Sequence, residues 1–149
     1  MNTLISAILI FSLTFAPVQS RDITLQLEDA LLYDLKPLAH EFVKAEQKYG
    51  VSAVLLASIA ALESGWGRDC FLKNNLFGFG QLEFDTRADC IDHVARYLKE
   101  EYLTPGGAHF NGYTIEAINM SYNPDHPEWS DAVEEIMAGI EERMQASAV

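Results

Sequence analysis

The chain has 149 residues, a length for one domain, and carries 22 acidic against 10 basic side chains, a formal net charge of −12. That acidity argues against nucleic acid as a partner and leaves any hold on an anionic polymer to shape, stacking and hydrogen bonding. His40, His93, His109 and His126 are scattered, and no Cys–His spacing suggests zinc, so neither a metal nor a cofactor is expected.

Residues 1–20 hold no charged side chain and include an apolar stretch at 4–15. This reads as a secretory signal cut between Ser20 and Arg21, although its start lacks Lys and Arg; the alternative is a retained membrane anchor. Residues 21–149 are then the working domain. Within 21–35, Leu27, Leu31 and Leu35 repeat at helical spacing, as in a helix or a loosely held arm. A helix is expected over 37–49, opened by Pro37, with Leu38, Phe42 and Ala45 inward and Gly50 as its stop. Ser52 is placed to cap the next helix, which is apolar on almost every face up to Glu63.

Beyond the turn Ser64-Gly65-Trp66-Gly67, the alternation over 78–84 is poor and fits a short hairpin or an irregular loop. Asp85 or Thr86 caps a helix over 87–102, with Ile91, Val94, Ala95 and Leu98 inward. Thr104-Pro105-Gly106-Gly107 breaks it. Thr114 opens a short helix over 115–121, a Pro-bounded loop follows Tyr122, and a last helix spans about 130–144 with Val133, Ile136, Met137 and Ile140 inward. The fold class is mainly α, with at most a short β-hairpin lobe. Cys70 and Cys90 are the only cysteines, and a lone pair in an exported chain points to a disulfide. Such a bond would add about 3 kcal/mol by closing a loop of that length.

The chemistry concentrates at Glu63. A carboxylate ending an apolar helix is desolvated and meets the negative end of the helix dipole; both raise its pKa, as a general acid near neutral pH requires. The bland alternative is a Glu that reaches out to solvent. Eleven residues on lies Asn74-Asn75-Leu76-Phe77-Gly78-Phe79-Gly80, a loop of amides, aromatic rings and glycines suited either to sugar contact or to core filling. Together, Leu62-Glu63-Ser64-Gly65-Trp66-Gly67 and Asn74-Asn75-Leu76-Phe77-Gly78 resemble the bacterial glucosaminidase family of peptidoglycan hydrolases, over residues 35–144.

The resemblance implies a lysozyme-like helical domain that cleaves N-acetylglucosaminyl bonds, with Glu63 as general acid. It places Glu83 and Asp85 in a small substrate-facing lobe, as candidates to activate water or stabilise positive charge. Substrate assistance by the 2-acetamido group would remove the need for either. Tyr122, in Ser121-Tyr122-Asn123-Pro124-Asp125, resembles the family tyrosine near the scissile sugar, with Asn123-Pro124 replacing the commoner small residue and Thr. Asn74, Phe77, Phe79 and Trp129 are candidate substrate contacts, each equally suited to the core or the loop frame. Asn75 is read as structural, and Trp66 as a wedge behind Glu63. The leading expectation is a secreted or periplasmic hydrolase of peptidoglycan glycan strands. A lytic transglycosylase also uses one Glu at the end of a buried helix, but usually carries a Gly-Leu-Met-Gln type segment in place of Asn75-Leu76-Phe77-Gly78. A non-catalytic glycan-binding module on the same fold is the third alternative.

Overall fold

The computed structural model describes residues 20–148. The expected signal or anchor segment lies outside the described residues, apart from Ser20, which opens the first helix. Six α-helices and no strand are found among the described residues. They are α1 (Ser20–Ala30), α2 (Ala39–Tyr49), α3 (Ala53–Ser64), α4 (Arg87–Tyr97), α5 (Ile115–Tyr122) and α6 (Glu128–Ser147), with a 3-10 turn at Tyr33–Leu38 and a π turn at Leu98–Tyr102.

The centre of the domain is α3. Ala53, Leu55, Leu56, Ala57, Ile59, Ala60 and Ala61 are all buried, so the helix has no solvated stripe. Two polar side chains survive on it because the backbone satisfies them: Ser58 Oγ donates to the Val54 carbonyl at 2.7 Å and Ser64 Oγ to the Ala60 carbonyl at 2.6 Å. Its N-terminus is capped twice. Ser52 Oγ accepts from the Leu55 N–H at 3.3 Å, and Glu46 Oε2 reaches across from α2 to accept from the Ala53 N–H at 2.9 Å. Around α3, α6 packs along one side and α2 along another; α1 closes onto both α2 and α6, and α4 lies against α2.

The segment at 21–35 is docked rather than a loose arm: α1 ends at Ala30 and the 3-10 turn follows, and Leu27, Ala30, Leu31 and Leu35 all enter the core. The expected helix at 37–49 starts later, at Ala39. Pro37 has no N–H and sits inside the preceding 3-10 turn, and Leu38 leaves helical geometry at φ −96°, ψ 3°. Thr86, not Asp85, caps α4, through a reciprocal capping box with Asp89. The last helix begins at Glu128 and runs to Ser147, longer at both ends than the periodicity indicated.

No hairpin forms over 71–86, because side-chain amides take the place of a strand ladder. Asn74 Nδ2 donates to the carbonyls of Phe84 (3.0 Å) and Asp85 (2.9 Å). Asn75 Nδ2 donates to those of Phe79 (3.1 Å) and Leu82 (2.9 Å), while its Oδ1 accepts from the Phe79 N–H at 2.9 Å. The expected Cys70–Cys90 disulfide is not formed; both are free thiols. Cys90 is fully buried at the start of α4, and burial pushes its thiol up to about 11 against the opposing backbone N–H groups of Leu76 and Phe77. Its contribution is to packing beneath the Asn75 loop.

Candidate active site

Glu63 stands in the last turn of α3, just before the helix is stopped. Gly65 adopts the left-handed conformation (φ +53°), and both its N–H and that of Trp66 return to the Ala61 carbonyl. Ser64 then holds the turn from inside, its Oγ accepting from the Gly67 N–H at 2.9 Å. Arg87 Nη2 donates to the Gly67 carbonyl at 2.8 Å, tying the turn to α4. Trp66 packs against the core, with the Arg143 guanidinium 5.6 Å from its ring centre.

The Glu63 carboxyl lies between two elements distant in sequence. Trp129, on α6, donates its indole N–H to Glu63 Oε1 at 2.6 Å. On the other side the backbone of Gly78 comes so near that a Cβ there would lie 3.5 Å from Oε2. Gly78 has φ +58°, a conformation glycine adopts without strain, and its missing side chain leaves the space above Oε2 open. Burial pushes the Glu63 carboxyl above the usual carboxylate range, and the Trp129 hydrogen bond offsets part of that rise.

Tyr122 ends α5 beside this group. Its ring stacks on Trp129, with centres 4.9 Å apart and planes at 30°, and its hydroxyl donates to the Phe77 carbonyl at 2.9 Å. Burial pushes the Tyr122 phenol well up, and the nearby Glu63 charge adds to the rise; the hydroxyl is therefore a donor at any working pH. Glu63, Gly78, Tyr122 and Trp129 thus come from four segments and meet at one place. A cleft of about 280 Å³ opens beside Glu63, lined by Leu62, Asn123, His126, Glu128, Trp129 and Ala132.

Several expected contacts are placed elsewhere. Phe77 is 1% exposed and belongs to the core; its carbonyl, not its ring, reaches the site. Trp129 does line the Glu63 cleft, but its ring is 4% exposed and stacked on Tyr122, with its N–H turned to Glu63. Phe79 packs edge-on against His93 and Tyr97, away from the cleft lining. Asn74 spends its amide N–H groups on the loop frame, as Asn75 does. Glu83 and Asp85 are exposed on the loop and do not line the Glu63 cleft.

Sequence reasoning missed His126 and Glu128. His126 Nδ1 and Glu128 Oε1 are 3.0 Å apart at the cleft mouth. Glu128 opens α6, and its own backbone N–H, followed by the His126 ring, holds its carboxyl below the usual range. The Pro-bounded run between Tyr122 and Trp129 was the available signal, since rigid loops often carry functional side chains.

The raised pKa of Glu63 has a consequence for stability. The folded-state value lies above the unfolded one of about 4.3, so the neutral form stabilises the fold at low pH, and that contribution is lost as pH rises through the folded value. Glu63→Gln keeps an acceptor for Trp129 and cannot ionise. The melting temperature of the Gln variant relative to the native chain is expected to climb between pH 4 and neutrality, then level off. A difference that is flat with pH would show that Glu63 bears no burial cost.

An all-helical domain whose central helix ends in a desolvated carboxyl, open to a narrow cleft, defines a lysozyme-like domain. The chain belongs to the glucosaminidase family: residues 39–142 match the family described as mannosyl-glycoprotein endo-beta-N-acetylglucosaminidase. Two proteins from different strains of Streptococcus pneumoniae, each named "Putative endo-beta-N-acetylglucosaminidase", are 31% identical to it over 114 residues. The match covers 69% of this chain but only 17% and 16% of those much longer relatives.

Proposed function

We propose that this chain is an exported glycoside hydrolase that cleaves N-acetylglucosaminyl β-1,4 bonds in peptidoglycan glycan strands, with Glu63 as general acid. The observation that carries the reading is the Glu63 carboxyl itself. It is kept protonatable by burial, with Oε1 occupied by Trp129 and Oε2 beside the open backbone of Gly78. Family membership supports a glycan as the substrate class. In this scheme Glu63 delivers its proton to the leaving oxygen as the bond to the anomeric carbon breaks, and water adds to that carbon. With a net charge of −12, binding of an anionic wall rests on hydrogen bonds and shape.

The second group of the reaction is sought among Glu83 and Asp85 on the exposed loop, Glu128 at the cleft, and the substrate's own acetamido group. Glu83→Gln, Asp85→Asn and Glu128→Gln separate them, since the carboxylate in use is the one whose loss lowers kcat. The reading as a whole is tested by digesting purified glycan strands and weighing the products. Fragments ending in reducing N-acetylglucosamine, each heavier by one water, are expected. Anhydro-muramyl ends would assign a transglycosylase instead, and an undigested polymer that retains the protein would assign a binding module.

A further inference from the structure

Trp129 contributes more to this site than packing. An indole N–H is a donor and never an acceptor. At 2.6 Å it engages Glu63 Oε1, so when the carboxyl is protonated the carbonyl oxygen, the stronger acceptor, is favoured at Oε1 and the hydroxyl at Oε2. A proton on Oε1 would leave the indole only the weaker hydroxyl oxygen to donate to. The remaining oxygen, Oε2, is the one beside Gly78, where the absent side chain leaves room. The indole is in turn held in place: it is buried and stacked on Tyr122, whose hydroxyl is tied to the Phe77 carbonyl one residue before Gly78.

We propose that Trp129 is the positioning residue of the site: its indole N–H holds Glu63 Oε1 as an acceptor and so confines the acidic proton to Oε2, on the Gly78 side, where the glycosidic oxygen is received. The proposal rests on Glu63 acting as the general acid. Proton transfer in the transition state needs the proton on the oxygen within reach of the leaving group, and a carboxyl that can present either oxygen spends part of its time with the proton misdirected. The hydrogen bond also favours the ionised form of Glu63, so its removal raises the carboxyl's pKa further. Of the titratable groups around Glu63, Tyr122 comes from α5, and His126 and Glu128 from the start of α6 and the residues before it; the loop side offers Gly78, which carries no charge.

The test uses Trp129→Phe, which keeps an aromatic ring on Tyr122 but has no donor. If that variant folds poorly, benzothienylalanine at position 129 replaces the indole N–H with sulfur at nearly constant shape. The measurements are the pKa of the Glu63 carboxyl, read from its side-chain carbon shift by NMR, the indole N–H resonance through a pH titration, and the pH profile of kcat. Repeating them in a His126→Asn, Glu128→Gln background removes the two ionisable neighbours that line the cleft. In the native chain the indole resonance is expected to titrate with Glu63. In the variants the Glu63 pKa is expected to rise by about one unit, moving the high-pH limb of kcat with it, while kcat on the plateau falls about tenfold. An indole resonance that is flat across the Glu63 titration would overturn the proposal. So would an unshifted Glu63 pKa, or a variant that melts lower yet keeps the native kcat profile. Should no glycan be hydrolysed by any form, the NMR titrations still decide the hydrogen bond, and the failure then belongs to the assigned reaction.

Discussion

Glu63→Gln is expected to reduce glycan hydrolysis by about 10²–10⁴-fold while leaving the fold in place. The amide is nearly isosteric, and its oxygen still accepts from the Trp129 indole, so the α3–α6 contact at the cleft survives. What is lost is the proton that the leaving oxygen requires. Glu63 is the carboxyl at this cleft that burial raises, whereas Glu128 at its mouth is held low. Environments that push two carboxyls apart in this way are typical of an acid working beside an ionised partner. Initial rates on glycan strands, taken with a melting curve for each form, check the result. Hydrolysis within a few-fold of native, at unchanged melting temperature, would remove Glu63 from the reaction.

The second large effect is on stability. Phe77→Ala is expected to destabilise the domain by about 3–5 kcal/mol, because it empties the space of a large aromatic side chain that is 1% exposed in the core. For a domain of this size the melting temperature should fall by about 10 °C or more. Were Phe77 a sugar-stacking surface, the same change would leave melting alone and weaken binding instead. Tyr122→Phe probes the other end of this contact. It removes the hydroxyl that satisfies the Phe77 carbonyl, with an expected cost of about 1 kcal/mol, and frees the Gly78 backbone from its tether. Activity lost far beyond that stability change would show that the hydroxyl also acts at the reacting carbon.

The fold and the site differ in how much of each was legible along the chain. Helix positions were readable where local chemistry sets them. Ser52 and Thr114 cap as their spacing indicates, Gly50 stops α2, and Val133 and Ile140 face inward at helical intervals. The start of α2 was misjudged because Pro37 suits a 3-10 turn as well as a first α-turn. The stretch 78–84 kept its hairpin reading open because, although Asn75 reads as structural, composition does not show which carbonyls the Asn74 and Asn75 amides will take. Burial of aromatics was the least readable property. Phe77, Phe79 and Trp129 are chemically equal candidates for a core or a surface, and their rank depends on which helices close over them.

By itself the sequence determined the helix that carries the carboxyl. An apolar run ending in Glu63 and stopped by Ser64-Gly65-Trp66-Gly67 dictates a buried helix with an acid at its C-terminus, because helix periodicity and termination are local to that stretch, while it leaves open whether the acid is desolvated or reaches to solvent. The tertiary structure alone decided what surrounds it. The indole that engages Oε1 comes from 66 residues away, and the phenol that grips the Phe77 carbonyl from 45 residues away. These meetings arise because α6 packs against α3 and α5 ends beside both, and no spacing along the chain encodes a contact made by the crossing of two helices.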